Sequence, residues 1–171
     1  MLESWIFPVV ICAALVVIIG LLFRKAKRGN GEFDERQELL RAGAHKHAFF
    51  TILILAALHS FFVSVLDRPI MEDGVSSMLL IFVGIGVFAV DCVIRGAFFA
   101  VNQKPGSYLL IAGLCVVADG IGSIPNLVSG ACVRDGMLTM QCLPLVIGAV
   151  FLAVFLTIVW KYYIRKEAEE E

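Results

Sequence analysis

Long apolar runs alternate with short polar segments along the whole chain. Five of these runs are about 20 residues long, and they lie near positions 4–23, 47–66, 77–99, 108–129 and 143–163. A helix of about 20 residues rises roughly 30 Å, which matches the hydrocarbon core of a bilayer. The pattern therefore predicts an all-α, polytopic integral membrane bundle of five transmembrane helices. These helices would form a single transmembrane domain over residues 1–171.

Basic residues are concentrated on one side of the predicted spans. The second and fourth connections carry only Arg68 and Arg134. The first connection, residues 24–46, carries a much larger set: Arg24, Lys25, Lys27, Arg28, Arg36, Arg41 and Lys46. The positive-inside rule places this juxtamembrane segment in the cytoplasm. With five crossings, the N-terminus is expected outside and the C-terminus inside.

Composition narrows the class of protein and the kinds of partner. Hydrophobic residues make up 60% of the chain and charged residues 17%, which indicates a multi-pass membrane protein whose first partner is the lipid bilayer. The net charge of the chain is −1, and the positive-inside rule already accounts for where its basic residues lie. The charge therefore gives no reason to expect a nucleic-acid partner. The chain has no glycine-rich phosphate loop, HExxH motif or nucleophile elbow. We therefore expect no enzyme activity and no cofactor or metal.

The polar segment before the second span has the features of a helix start. Asp34 suits an N-cap, and acidic residues follow it in the first turn. The segment is expected to run as an interfacial helix into the second span, with a bend at Gly43. It is a candidate docking segment for a membrane or cytoplasmic protein partner, and a solvated juxtamembrane helix is the alternative. The candidate docking residues are Asp34, Glu35, Arg36, Gln37, Glu38 and Arg41.

Two stretches carry a resemblance to a protein family. They are "DERQELLRAGAHKHAFFTILI", residues 34–54, and "VNQKPGSY", residues 101–108. Together they resemble a family of small multi-spanning membrane proteins from Gram-positive, gut-type bacteria, in which a D-E-R-Q motif follows the first transmembrane helix. The resemblance implies a four- or five-span fold and a bacterial plasma membrane, and it implies no particular activity.

The stretch "VADGIGSIPN", residues 117–126, places polar residues inside the fourth apolar run. Counted from Tyr108 at the inner boundary, Asp119 lies about 17 Å into a core of roughly 30 Å. Ser123 and Asn126 follow at helical spacing, so the three side chains form one polar stripe. Glycines and Pro125 predict a helix broken near Gly120–Pro125, packed toward the centre of the bundle. The stripe is a candidate intramembrane site, and a Pro kink with a protonated Asp119 used for packing is the alternative.

Three more ionisable residues fall within the predicted spans. His59 lies about 18 Å from the start of the second span, nearly level with Asp119, so the two are candidates to share a proton; a satisfied core histidine is the alternative. Asp91 and Arg95 are one helical turn apart and form a candidate ion pair near the cytoplasmic interface. That pair either sets the depth of its helix or acts as a gate or ion-binding site. His45 and His47 are expected at the inner interface, exposed to solvent or headgroups.

Cysteines and small residues suggest further contacts. Cys132 and Cys142 share the fourth connection, which the predicted orientation puts outside, so they are a candidate disulfide, with reduced thiols as the alternative. Ala149 with Ala153, and Gly84 with Gly86, mark faces for close helix packing. These faces would also suit a homo-oligomer.

The sequence favours a small non-enzymatic integral membrane protein that acts through partners, as an accessory, sensor or regulatory subunit. Small size, the lack of a catalytic set and the charged 24–46 segment all point to this function. The alternative is a small transporter or channel with a mid-membrane polar site around Asp119, in which His59 would act as a proton partner.

Overall fold

A computed structural model describes residues 33–72, 74–101, 103 and 105–164. The first predicted span, 4–23, lies outside these residues. The described helices are α1 (Glu35–Leu66), α2 (Val75–Arg95), α3 (Pro105–Val128) and α4 (Leu143–Val159). Between α3 and α4 are a two-stranded antiparallel hairpin, β1 (Val133–Arg134) and β2 (Met137–Leu138), and a 3-10 turn, Met140–Cys142. A π-helical turn, Trp160–Ile164, follows α4.

All four helical segments are long and apolar enough to cross a membrane. Large apolar side chains cover their outer surfaces, and Phe61 and Val128 are among the most exposed. Exposed apolar surface of this extent along membrane-length helices is the surface expected to face lipid. The all-α class predicted from the sequence is therefore confirmed, and four of the predicted spans are present as helices long and apolar enough to cross a membrane.

The four helices form a row of neighbours. α2 packs against α1 on one side and α4 on the other, and α4 packs against α3. Glycine allows close approach at two of these contacts: Gly84 of α2 meets Ile52 of α1, and Gly86 meets Val150 of α4. The expectation that the fourth span, α3, packs toward the centre was wrong among the described helices. α3 lies at one end of the row, because its main neighbour is α4.

The helix ends show how local sequence sets the boundaries. α1 begins at a capping box, in which the Asp34 side chain accepts from the Gln37 backbone N–H at 2.6 Å. The predicted interfacial helix and second span form one helix that continues through Gly43 without interruption. α2 ends at Arg95, four residues before the predicted end at 99, because Gly96 takes a left-handed φ of 75° and its N–H bonds back to Val93.

α3 is also continuous, so the predicted break near Gly120–Pro125 is not seen. Pro125 lies inside the helix and has no N–H to offer the Ile121 carbonyl. Neighbouring side chains bond to the same stretch of backbone: the Ser123 hydroxyl donates to Gly120 O at 2.9 Å, and Asn126 Nδ2 contacts Gly122 O at 3.5 Å. These bonds go to the carbonyls on either side of Ile121 rather than to Ile121 itself, and the helix continues past the proline, as transmembrane helices can.

Residues 130–142 connect α3 to α4 and form a small cap at the ends of the helices, which we call the hairpin cap. The cap is joined to the α1–α2 connection, since Leu138 N–H donates to Ile70 O at 3.0 Å and Glu72 N–H donates to Leu138 O at 2.8 Å. The Glu72 carboxylate also accepts from Met140 N–H at 3.0 Å. Both connections at this end of the molecule therefore form one hydrogen-bonded unit.

Candidate functional site

Three ionisable side chains meet where α1 and α2 pack together. Asp91 accepts from Arg95 Nε at 2.7 Å, which is the ion pair that the i, i+4 spacing predicts. Its other oxygen lies 2.9 Å from Nδ1 of His47, on α1. Arg95 also approaches His47 at 3.5 Å. We call these three residues the ion cluster.

The two histidines expected at the inner interface are both exposed, as expected, and both also contact α2. More than half of the His47 side chain is exposed, and its ring is in addition held by Asp91, a contact that was not predicted. His45 stacks on Phe88 of α2 with ring centroids 4.3 Å apart. Both histidines therefore help to join α1 to α2.

An apolar groove of about 690 Å³ lies beside the ion cluster, between α2 and α4. Of the described residues that line the groove, only His47 of α1 and Asp91 of α2 are ionisable. Both lie at the end of the groove that is nearest to the C-terminus of α2. Ala149 and Ala153, predicted to mark a close-packing face, line this groove and are exposed. The face is therefore accessible from outside the described helices.

Asp119 lies in a second pocket, of about 230 Å³, between α3 and α4. We call it the Asp119 pocket. The helices approach closely here, since a Cβ added at Gly148 would lie 3.0 Å from Cβ of Asp119. Within the described residues, the Asp119 carboxylate has no hydrogen-bond or ion-pair partner. It is half-buried, and a carboxylate within a membrane-length helix is a candidate functional site.

The predicted polar stripe is only partly assembled around Asp119. Ser123 lines the same pocket and is 3% exposed, but its hydroxyl is already bonded to the α3 backbone. Asn126 points instead to the hairpin cap, where Nδ2 donates to Gln141 O at 3.2 Å. The stripe therefore divides into one free carboxylate, one internally bonded hydroxyl and one structural amide.

His59 is not brought to Asp119. It lies on α1 in a separate pocket with residues from α2 and the α1–α2 connection, and the two pockets have no lining residue in common. α1 packs against α2, whereas Asp119 faces α4. The predicted proton-sharing pair was therefore wrong, because equal depth along two helices does not make those helices neighbours.

The candidate docking segment has an inner and an outer face. On the inner face, Gln37 Nε2 donates to Gly96 O at 3.2 Å and Phe99 O at 3.1 Å, and Arg41 donates to Ala97 O at 3.3 Å. We call these contacts the N-terminal clasp. Arg41 also lies over the Phe33 ring at 4.3 Å. The two residues are therefore engaged within the protein.

The outer face of the same segment is exposed. It carries Glu35, Arg36, Glu38 and Leu39, and Leu39 is 75% exposed. The N-terminal clasp and the capping box fix the orientation of this face relative to α2. The structure thus reduces the six predicted docking residues to an exposed subset around Glu35 and Glu38.

Cys132 and Cys142 are free thiols in the structure. They share a small buried cluster with Val75, against which Met71 and Leu138 pack. Cys132 also donates to Gln141 O at 3.8 Å. The predicted disulfide is not formed, but the hairpin cap brings both side chains into the same core.

Comparisons with known proteins give no relative. The chain matches no protein-family profile, no curated protein and no solved structure. In the residues that the structure describes, no group of three or more His, Cys, Asp or Glu side chains is placed to hold a metal ion.

Sequence reasoning missed the roles of His47, Gln37 and Glu72. A signal for His47 was present, since it and Asp91 were both expected near the inner boundary, but their pairing depends on α1 and α2 being neighbours. Gln37 and Glu72 bond to backbone carbonyls and amides of distant segments. No spacing pattern identifies such contacts.

Proposed function

We propose that this protein is a small, non-enzymatic integral membrane protein that acts through a protein partner, as an accessory, sensor or regulatory subunit. One observation carries the proposal: the exposed outer face of the first turns of α1. Leu39 is 75% exposed there, next to the acidic Glu35 and Glu38. An apolar residue with flanking charges on a preorganised helix is typical of a docking surface, because little conformational entropy is lost on binding.

The charge of this face selects the chemistry of the partner. On it Glu35 and Glu38 are opposed by Arg36, and the capping residue Asp34 adds a third acid just before the first turn. A cytoplasmic segment with basic residues around an apolar anchor would be complementary to it. The length of α1 supports this proposal: its 32 residues span about 48 Å, which is enough to cross a hydrocarbon core of roughly 30 Å and extend the outer face past it.

The arrangement we propose in the membrane is a five-span bundle in the plasma membrane of a bacterium. The first run, 4–23, is the fifth span, the N-terminus lies outside, and segment 24–46 lies in the cytoplasm. The distribution of Lys and Arg supports this orientation. In a variant without native cysteines, single cysteines at Lys25 and Arg134 should react with an impermeant maleimide from opposite sides of the membrane. Labelling of both from the same side would overturn the arrangement.

The partner proposal is tested by affinity capture from membranes of the native host. The variant carries Glu35→Gln, Glu38→Gln and Leu39→Ser, and the control Asp135→Asn removes one acid from the hairpin cap at a left-handed position that Asn tolerates. A specific partner should be recovered with wild type and control and lost with the variant. Recovery of the same proteins with all three forms would contradict the docking surface.

The second candidate function is a small transporter or channel, proton-coupled through Asp119. The supporting observation is the half-buried carboxylate without a partner in the Asp119 pocket. Ion and proton flux into reconstituted vesicles should then be present for wild type and Asp135→Asn and absent for Asp119→Asn. No flux of wild type across a broad panel of ions and solutes would contradict transport.

A further inference from the structure

The pocket around His59 has unusual chemistry for a contact between membrane-spanning helices. It lies between the C-terminal half of α1, the start of α2 and their connection, and its volume is about 240 Å³. His59 and Ser76 are its polar lining residues. The rest of the wall is apolar: Leu55, Leu58, Phe62, Ile70, Met71, Leu79 and Leu80. We call this the His59 pocket.

Both polar groups of this pocket lack partners in the described part of the chain. Nδ1 of His59 is buried and is the one buried side-chain nitrogen or oxygen there without a hydrogen bond. The Ser76 hydroxyl likewise has no hydrogen-bond partner among the described residues. Buried polar groups in native proteins are nearly always hydrogen-bonded, so an unpaired one calls for a partner from outside the chain.

We propose that the His59 pocket binds a small ring-shaped molecule that carries one hydrogen-bonding oxygen, of the phenol or quinone type. The oxygen faces Nδ1 of His59 and the Ser76 hydroxyl, and the ring lies against the leucines and Phe62. A neutral imidazole can hydrogen-bond to the carbonyl of a quinone or to the hydroxyl of a phenol. In one tautomer Nδ1 carries the proton and donates to the carbonyl, and in the other Nδ1 accepts from the hydroxyl.

The size of the pocket fits this class of ligand. An apolar cavity of about 150 Å³ holds a benzene ring, so about 240 Å³ holds a ring with small substituents. A single water molecule would find only two polar partners in this wall, the minimum of the usual two to four, and would leave most of the volume empty. A metal ion is disfavoured because the wall contains one histidine and no carboxylate.

The position of the pocket suits a ligand that arrives from the bilayer. Its walls belong to two membrane-spanning helices, and Leu58 and Phe62 are about half-exposed to the outside. The opposite rim is held in place, because Ile70 accepts from Leu138 N–H and Met71 pairs with Leu138 as an isolated bridge. The pocket is therefore preformed on one side and open to lipid on the other.

Nitrogen NMR of the full-length protein in lipid nanodiscs tests the proposal directly. The histidines carry ¹⁵N, and the probes are p-cresol and p-xylene. The two molecules have nearly the same shape, but p-cresol has a hydroxyl where p-xylene has a second methyl group. p-Cresol should shift the His59 Nδ1 resonance in a saturable manner, while those of His45 and His47 stay unchanged. No saturable shift of His59 with p-cresol, or an equal shift with p-xylene, would overturn the proposal.

Variants test the same site by the affinity for p-cresol, measured by saturation-transfer NMR. His59→Phe keeps a ring but removes the nitrogen, and Ser76→Ala removes the hydroxyl; each should weaken binding about three- to tenfold, as expected for loss of one hydrogen bond. The matched control Ser64→Ala changes an exposed serine on α1 outside the pocket and should bind as wild type does. If His59→Phe does not fold, Ser76→Ala decides, and unchanged affinity in that variant contradicts the assignment.

Discussion

His47 and Asp91 lie 2.9 Å apart on neighbouring helices, and Asp91 uses its second oxygen to accept from Arg95 at 2.7 Å. One carboxylate thus joins α1 to α2 and also positions the arginine at the end of its own helix. The Asp91 side chain is 19% exposed, so its contacts are partly shielded from water.

Asp91→Ala should lower the free energy of unfolding by about 1–3 kcal/mol, because two charge-assisted hydrogen bonds are lost and Arg95 is left without its carboxylate. Thermal or denaturant unfolding in detergent measures the change. Lys46→Ala, at an exposed neighbouring position on α1, is the control and should lie within about 0.5 kcal/mol of wild type. Equal stabilities of the two variants would show that the ion cluster contributes little.

Gln37→Ala should loosen the turn that follows α2. The side-chain amide of Gln37 donates to the Gly96 and Phe99 carbonyls. Its removal takes away this donor, so the turn is held less firmly and opens more often. Hydrogen–deuterium exchange should become faster in residues 96–101 and stay unchanged in the hairpin cap. Glu38→Ala, on the exposed outer face next to Gln37, should leave exchange in 96–101 as it is in wild type.

Gly86→Ala should destabilise the contact between α2 and α4. The added Cβ would lie 2.9 Å from Val150 Cγ1, so the two helices must separate or the valine must leave its preferred rotamer, at about 1–3 kcal/mol. Gly122→Ala is the matched control, because a Cβ there meets no atom within 4 Å. It should be neutral or stabilise by up to roughly 1 kcal/mol, through the higher helix propensity of alanine. A stability loss in Gly122→Ala as large as in Gly86→Ala would refute the close-contact explanation.

Cys132 and Cys142 should form a disulfide under mild oxidation, because the hairpin cap holds both in one buried cluster. Mass spectrometry after alkylation would then find the two cysteines linked, with the intact protein lighter by two hydrogens. Cys115→Ser is the control and should not affect the linkage. Recovery of both cysteines in alkylated form after oxidation would exclude the pairing.

The sequence was a good guide to several properties that depend on one helix alone. Apolar length identified the membrane helices, Asp34 was expected as a cap, and the Asp91–Arg95 pair follows from a spacing of one turn. Each of these depends on residues close in the chain, so local geometry is enough to derive it.

Properties that depend on which helices are neighbours could not be derived in this way. Depth placed His59 level with Asp119, but α1 pairs with α2 and α3 with α4, so the two lie in different pockets. The same reason explains why the contact between His47 and Asp91 was not predicted. Pro125 shows a further limit: proline predicts a break, yet α3 continues through it as one helix.

The length of α1 has a mechanical consequence. Its 32 residues form one uninterrupted rod of about 48 Å, with the His59 pocket near one end and Glu35 at the other. A rotation of about 10° about the midpoint of such a rod moves each tip by about 4 Å in opposite directions. A displacement of that size is comparable to the width of a side chain, so a small change of tilt inside the bilayer would reposition the outer face on the far side.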